Sequence, residues 1–399
     1  MKYAKLSLCL FLGASFAGAT TFTVTPNGQY PTVCSAVAVA QDGDTVLVDA
    51  NHGIPYVAGQ NPLYAAGSGK EDCVITQNNF TIRGINGRPI LDASKPEGPP
   101  TFVQKGILVI DGHDVLIDNL ELRNANPLTN PNSAVNAAGI RIEDGSNTTP
   151  KGGNVTVRRC YIHDNGNGIL SGNSGPGIGQ WFSPNPFLLF EYDDFSHNST
   201  VADGQQHNMY IGADTFGKMK FTLRYSKSRD AYAGHDVKTR APFNYILYNV
   251  ISDKTGFTSY ELDFPLGGTT YVVGNIIYKS AVDGTIANNN MMIYADRGDN
   301  ASSDPEYGVP NQDLHFLNNI VVDNNARESN AFVNVICANA SSATCAPPNY
   351  GPPLTTPAEV KGNLFIGQVT NVSNQPDAIT KYNLVRPYSD LAARGFIPQ

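Results

Sequence analysis

A chain of 399 residues with a formal net charge of −8 and only 16% charged residues offers no basic face to neutralise phosphates. That excludes nucleic acid as a natural partner and requires any acidic ligand to be met by a local cluster of cations. The length exceeds a typical single core, yet no Pro/Ser-rich linker or charge block divides it. Short runs of Val, Ile, Leu and Phe stand where long helical patterns would otherwise be, so a repeat architecture is expected.

The chain opens with MKYAKLSLCLFLGASFAGA, in which Lys2 and Lys5 precede an apolar run at 6–16 and a small-residue ending at Ala17, Gly18 and Ala19. This reads as a secretory signal, residues 1–19, because the run is too short to span a bilayer. Cys9 follows Leu8 rather than a small residue, which argues against a lipid anchor, and no later stretch is long enough for a membrane span. The expectation is an exported monomer, secreted or periplasmic, with one domain over 20–399. Residues 30–50, YPTVCSAVAVAQDGDTVLVDA, read as a short amphipathic helix and a strand, the cap that the open end of a solenoid needs. Cleavage would leave Cys34, Cys73, Cys160, Cys337 and Cys345, an odd number; the expected pairs are Cys34 with Cys73 and Cys337 with Cys345.

From residue 115 onward one unit recurs: VLIDNLELRNA (115–125), VTVRRCYIHDN (155–165), FLLFEYDDFSHN (187–198), FTLRYSKSRDA (221–231), YILYNVISDK (245–254), YVVGNIIYKS (271–280), LHFLNNIVVDN (314–324) and EVKGNLFIG (359–367). Each alternates apolar and polar residues and then turns, the period-2 pattern of strands. At one place in the unit stand Asn119, Cys160, Asp193, Ser226, Asn249, Asn275, Asn319 and Asn363. Small or amide side chains stacked at a turn can hydrogen-bond from coil to coil, so an asparagine ladder is expected, with Cys160 inside it as a free thiol.

The cap followed by DGDTVLVDA (42–50), the repeated N-x-I/L turns and the overall layout resemble the pectate-lyase-like right-handed parallel β-helix superfamily, over essentially the whole mature chain. The resemblance implies an all-β fold, a single-stranded right-handed parallel β-helix solenoid with a short N-terminal capping helix, and a carbohydrate ligand. It does not choose a reaction, because lyases, hydrolases, epimerases, esterases and adhesins share the fold.

Three strands after the ladder turn can be superimposed: HNMYIG (207–212), HDVKTRA (235–241) and TSYELDF (258–264). With Met209, Ile211, Val237, Thr239, Tyr260, Leu262 and Phe264 inward, alternation puts Asn208, Tyr210, Asp236, Lys238, Arg240, Glu261 and Asp263 outward on one face. The spacing makes Lys238 the neighbour of Tyr210 and Glu261, and Arg240 the neighbour of Asp263. An exposed ion-pair lattice would account for such charges at little energetic benefit. Against it stand the local concentration of ionisable groups and the insertions 171–186 and 198–206, the first carrying the only Trp, which are expected to wall a groove. His207 and His235 fall on the inward phase; they are either a stacked structural pair or, swung outward, proton carriers. Alternation separates Asp193 from Asp194, and no His/Cys spacing suggests zinc.

This assembly resembles the lysine/arginine arrangement of β-helical lyases acting on acidic polysaccharides, which is the expected partner. The resemblance implies β-elimination: Arg240 holds the uronate carboxylate, Lys238 with a lowered pKa takes the C5 proton, and Tyr210 or His235 supplies the leaving-group proton. Glu261 and Asp263 would orient the cations or bind a calcium ion, the one cofactor candidate, while His207, Asn208 and Asp236 contact substrate. The acidic calcium-ligand spacing and the arginine motif of pectate lyases are absent. The rivals are glycoside hydrolysis by Glu261 and Asp263 at i, i+2, C5-epimerisation, and a non-catalytic polysaccharide-binding or adhesin solenoid.

Overall fold

The computed structural model describes residues 18–57, 73–93, 106–125, 137–145, 149–172, 181–199, 204–214, 217–281, 287–295, 312–325, 331–335, 355–367 and 371–389. The signal segment up to residue 17, Cys337 and Cys345 lie outside these. Among the described residues the strands form three all-parallel sheets of 12, 11 and 9 strands, here called A, B and C. One coil contributes Phe243–Leu247 to A, Val250–Asp253 to B and Tyr260–Phe264 to C. Each then pairs in parallel with its counterpart one coil on, Thr269–Val273, Ile276–Lys279 and Met292–Tyr294. The fold is therefore a parallel β-helix, as the resemblance implied, and parallel crossovers of this kind take the right-handed sense.

Burial follows the period of 2 on sheet A. Leu223, Ile246, Val272, Phe316 and Val360 are successive partners in the ladder of strands, and all are fully buried. The helix Val33–Val37 closes the first coil, with Thr32 and Ser35 forming a reciprocal capping box and Val33, Ala36 and Val37 buried. No disulfide joins Cys34 to Cys73, contrary to expectation. The two line one small cavity with Val33, Leu91, Ile107 and Leu108, so apolar packing rather than a covalent link closes this end.

The side-chain ladder is present. The backbone N–H of Cys160 donates to Asp193 Oδ1 (2.7 Å), that of Asp193 to Ser226 Oγ (3.1 Å) and that of Ser226 to Asn249 Oδ1 (3.0 Å). Asn249, Asn275, Asn319 and Asn363 continue it to Asn383, which the repeat alignment missed. Cys160 is a buried thiol outside any disulfide, and burial pushes its proton affinity up. Asn119 is not a member. The register Tyr161↔Glu121 puts Leu120 opposite Cys160, and Asn119 takes the preceding left-handed position with φ +58°. There its side-chain amide donates to the carbonyls of Gly84 and Gly87.

Candidate active site

On sheet C one row runs straight up the coils: Val74, Val109, Arg141, Leu170, Tyr210, Lys238, Asp263, Ile293 and Asn334. Lys238 is thus the neighbour of Tyr210, as its spacing indicated. Its other neighbour is Asp263 and not Glu261, so Arg240 does not pair with Asp263. The register His235↔Tyr260 and Val237↔Leu262 puts Asp236 opposite Glu261.

The cause is a break in alternation where the chain enters sheet C from sheet B. Two consecutive residues face inward on each of three coils: Asn208 and Met209, Asp236 and Val237, Glu261 and Leu262, all fully buried. Asn208, Asp236 and Glu261, expected outward as substrate contacts, are therefore interior residues. The apolar member of each pair enters the core, and the polar member fills the corner with a second ladder. Asn165 Nδ2 donates to Asn198 Oδ1 (3.0 Å), Asn198 Nδ2 to Asn208 Oδ1 (2.9 Å) and Asn208 Nδ2 to Asp236 Oδ1 (2.9 Å). One coil further, Glu261 meets Lys279 Nζ at 3.1 and 3.3 Å, and the ammonium also donates to the carbonyls of Thr258 and Ser259. Both members of this ion pair are completely buried.

Burial, reinforced by Glu261 and Asp253, pushes the Asp236 carboxyl well above the usual carboxylate range. Burial raises Glu261 and Asp253 too, against the pull of Lys279, and raises Asp323 to about 6. A folded carboxyl that holds its proton more tightly than the unfolded chain stabilises the fold fully below the unfolded pKa, and that contribution is lost as pH rises through the folded value. Asp236→Asn keeps the acceptor that Asn208 and Ala231 use and removes the proton equilibrium. It should leave stability near pH 4 unchanged, raise it at pH 8 and flatten the urea midpoint against pH.

The same break turns His207, His235 and Tyr260 toward the outer face. His235 Nδ1 lies 2.8 Å from Asp263 Oδ2, an ion-pair separation off the line of a straight hydrogen bond, and Lys238 Nζ reaches the same oxygen at 3.5 Å. The His235 backbone N–H donates to His207 Nδ1 (3.1 Å), so neutral His207 carries its proton on Nε2. The His207 ring stacks on Tyr210, and Tyr260 stands edge-on to His235. Lys238 Nζ and the Arg240 guanidinium lie 5.8 and 5.6 Å from the centroid of Tyr210, two cations on one phenol ring.

Lys238 and Asp263 are each only 3% exposed, so this is not a surface lattice. The arginine lattice nearer solvent is on sheet A, where the partly exposed Arg83, Arg158 and Arg159 converge on the buried Asp118 and Arg224 grips Glu191. Arg141, in the same row as Tyr210 and two strands away, adds a nearly buried cation next to Glu143 (3.1 Å). Its cue was the strand GIRIE, which lies outside the three segments superimposed from sequence. Asp193 points into the ladder and Asp194 to the surface, where it binds Arg229. Trp181 is only 7% exposed, yet it lines a cavity with Phe182, Pro184, Pro186, Asp214 and Lys218. It is buried in the core, where a Cβ on Gly152 would lie 3.2 Å from its ring; residues 173–180 lie outside the described part.

Glu261 is sealed inside with Lys279, while Asp263 faces out with His235 and Lys238. The two carboxylates lie on opposite sides of the strand, so they neither chelate one calcium ion nor form the acid/base pair of a glycosidase. Among the described residues no cluster of three His, Cys, Asp or Glu side chains forms a metal site, and no helix is long and apolar enough to cross a membrane.

No family model matches the chain, and no curated protein matches it. Solved structures do share its architecture. An alginate lyase from Paenibacillus sp. str. FPU-7 is 14% identical over 92% of this chain and 99% of that one, with a TM-score of 0.46. A rhamnogalacturonan lyase is 14% identical over 92% and 87%, TM-score 0.46. PfbA, a surface adhesin of Streptococcus pneumoniae, is 10% identical over 88% and 79%, TM-score 0.49. At these identities the chain is similar to all three in fold alone.

Proposed function

We propose that the protein is an exported polysaccharide lyase that cleaves a uronate-containing polymer by β-elimination. The observation that carries this reading is the row on one face of sheet C in which Lys238 and His235 meet Asp263 while Lys238 and Arg240 flank the Tyr210 ring. A single carboxylate between two basic side chains neutralises one of them. In this reading Lys238 keeps its proton and His235 takes part in its neutral form. Lys238 and Arg240 then offset the charge that builds on the substrate carboxylate as C5 loses its proton. His235, its Nδ1 edge turned to Asp263, accepts that proton at Nε2, a role the sequence spacing gave to Lys238. The C5–H electron pair becomes the C4–C5 double bond, the C4–O bond breaks, and the Tyr210 hydroxyl protonates the leaving oxygen. His207, with its proton on Nε2, is a donor to substrate.

The test is incubation with a panel of acidic polysaccharides. The expected product carries the ultraviolet absorbance of an unsaturated uronate. New reducing ends without that absorbance would mean hydrolysis, an inverted C5 without cleavage epimerisation, and binding without chemistry an adhesin; each of these outcomes overturns the reading.

A further inference from the structure

At the corner between sheets A and B each of the nine described coils from Asn119 onward places the residue before the ladder position in the left-handed region. In chain order these are Asn119, Arg159, Tyr192, Tyr225, Tyr248, Gly274, Asn318, Gly362 and Tyr382, with φ between +53° and +69°. Glycine and asparagine adopt this conformation cheaply, whereas a bulky side chain is strained there. Three consecutive coils nevertheless carry tyrosine.

The three rings are open to solvent: Tyr192, Tyr225 and Tyr248 are 57%, 46% and 54% exposed. Successive centroids lie 5.3 and 5.6 Å apart, with planes within 19° and 8° of parallel. Atoms of eclipsed rings would touch at about 3.5–4.0 Å. The wider spacing therefore makes the column a staircase, in which part of each ring is left to water. The next coil leaves room for the last ring, since a Cβ on Gly274 would lie 2.5 Å from Tyr248. A fixed polar rim adjoins it: the Arg224 guanidinium, 5.9 Å from the Tyr225 centroid, is held by two hydrogen bonds to Glu191.

We propose that Tyr192, Tyr225 and Tyr248 form a second polysaccharide-binding site, on the corner of the solenoid away from the outer face of sheet C. Amphipathic aromatic rings pack against the C–H faces of pyranoses while their hydroxyls and the neighbouring Arg224 hydrogen-bond to the sugar. Steps set by the coil repeat suit a polymer that repeats along its own length. The inference rests on the reading of the protein as acting on polysaccharide, and it adds a surface that holds the chain without cutting it.

The experiment measures retardation in native gels cast with polygalacturonate, alginate or hyaluronate, using His235→Ala protein so that the polymer survives. The comparison variant adds Tyr192→Asn, Tyr225→Asn and Tyr248→Asn, a residue suited to the left-handed corner. The expected result is an affinity about tenfold weaker or more for the polymer that retards the parent, with a thermal midpoint unchanged or raised. Equal retardation of parent and variant overturns the second site and leaves the lyase reading standing. A lowered midpoint assigns the stacking to stability and overturns it as well. Retardation of neither the parent nor the wild type by any polymer removes both readings.

Discussion

His235→Ala should lower turnover about 100- to 10,000-fold while leaving KM nearly unchanged, the usual contribution of a general base that acts only in the transition state. Lys238→Ala and Arg240→Ala should behave differently. On the proposed mechanism both hold the substrate carboxylate before and during reaction, so KM should rise as kcat falls. The same mechanism has the neutral imidazole as the active form, so kcat/KM of the wild type should climb with pH as His235 loses its proton. His235→Ala should flatten that limb. If Lys238→Ala alone abolishes turnover at unchanged KM while His235→Ala retains it, Lys238 is the base and the assignment made here is wrong.

Lys279→Met should destabilise the protein by about 3–5 kcal/mol, measured from the urea midpoint, because it strands the buried Glu261 carboxylate and leaves the carbonyls of Thr258 and Ser259 without their donor. Adding Glu261→Gln should recover part of the loss, and the double-mutant cycle would show positive coupling. A cost below about 1 kcal/mol for Lys279→Met would mean that Glu261 simply takes up a proton, and that the pair does not hold the corner. Glu261 backs the strand whose Asp263 meets His235 and Lys238, so the variant should also broaden the pH profile of any remaining activity.

The solenoid was legible because its signal is repetitive: the apolar alternation recurs from coil to coil and the Asn249–Asn275–Asn319–Asn363 register over four successive coils, and the structure keeps both. Asn119 misled because the left-handed position and the ladder position are adjacent and both favour asparagine. The candidate site was half legible. Its row Tyr210–Lys238 followed from strand spacing, but the doubled inward residues at 208–209, 236–237 and 261–262 did not, because a strict period of 2 has no place for them. That one irregularity exchanges His207, His235 and Tyr260 for Asn208, Asp236 and Glu261 on the outer face, and it shifts Lys238 from Glu261 to Asp263. Lys279 was invisible for a different reason. Nothing in a strand such as IIYKS tells that its lysine turns inward, since the carboxylate that makes this tolerable comes from another sheet.

Tyr210, Lys238 and Asp263 come from three successive strands in the middle of sheet C, with four described strands stacked on one side and two on the other. The last strands, Ile379–Lys381 and Leu384–Arg386, are largely exposed. In a one-dimensional stack each coil depends only on its neighbours, so opening begins at the ends and travels inward. Catalysis would thus report on melting late. The terminal coils can fray and reclose while the central three go on working, and loss of activity on heating would mark the collapse of the middle rather than the first event of unfolding.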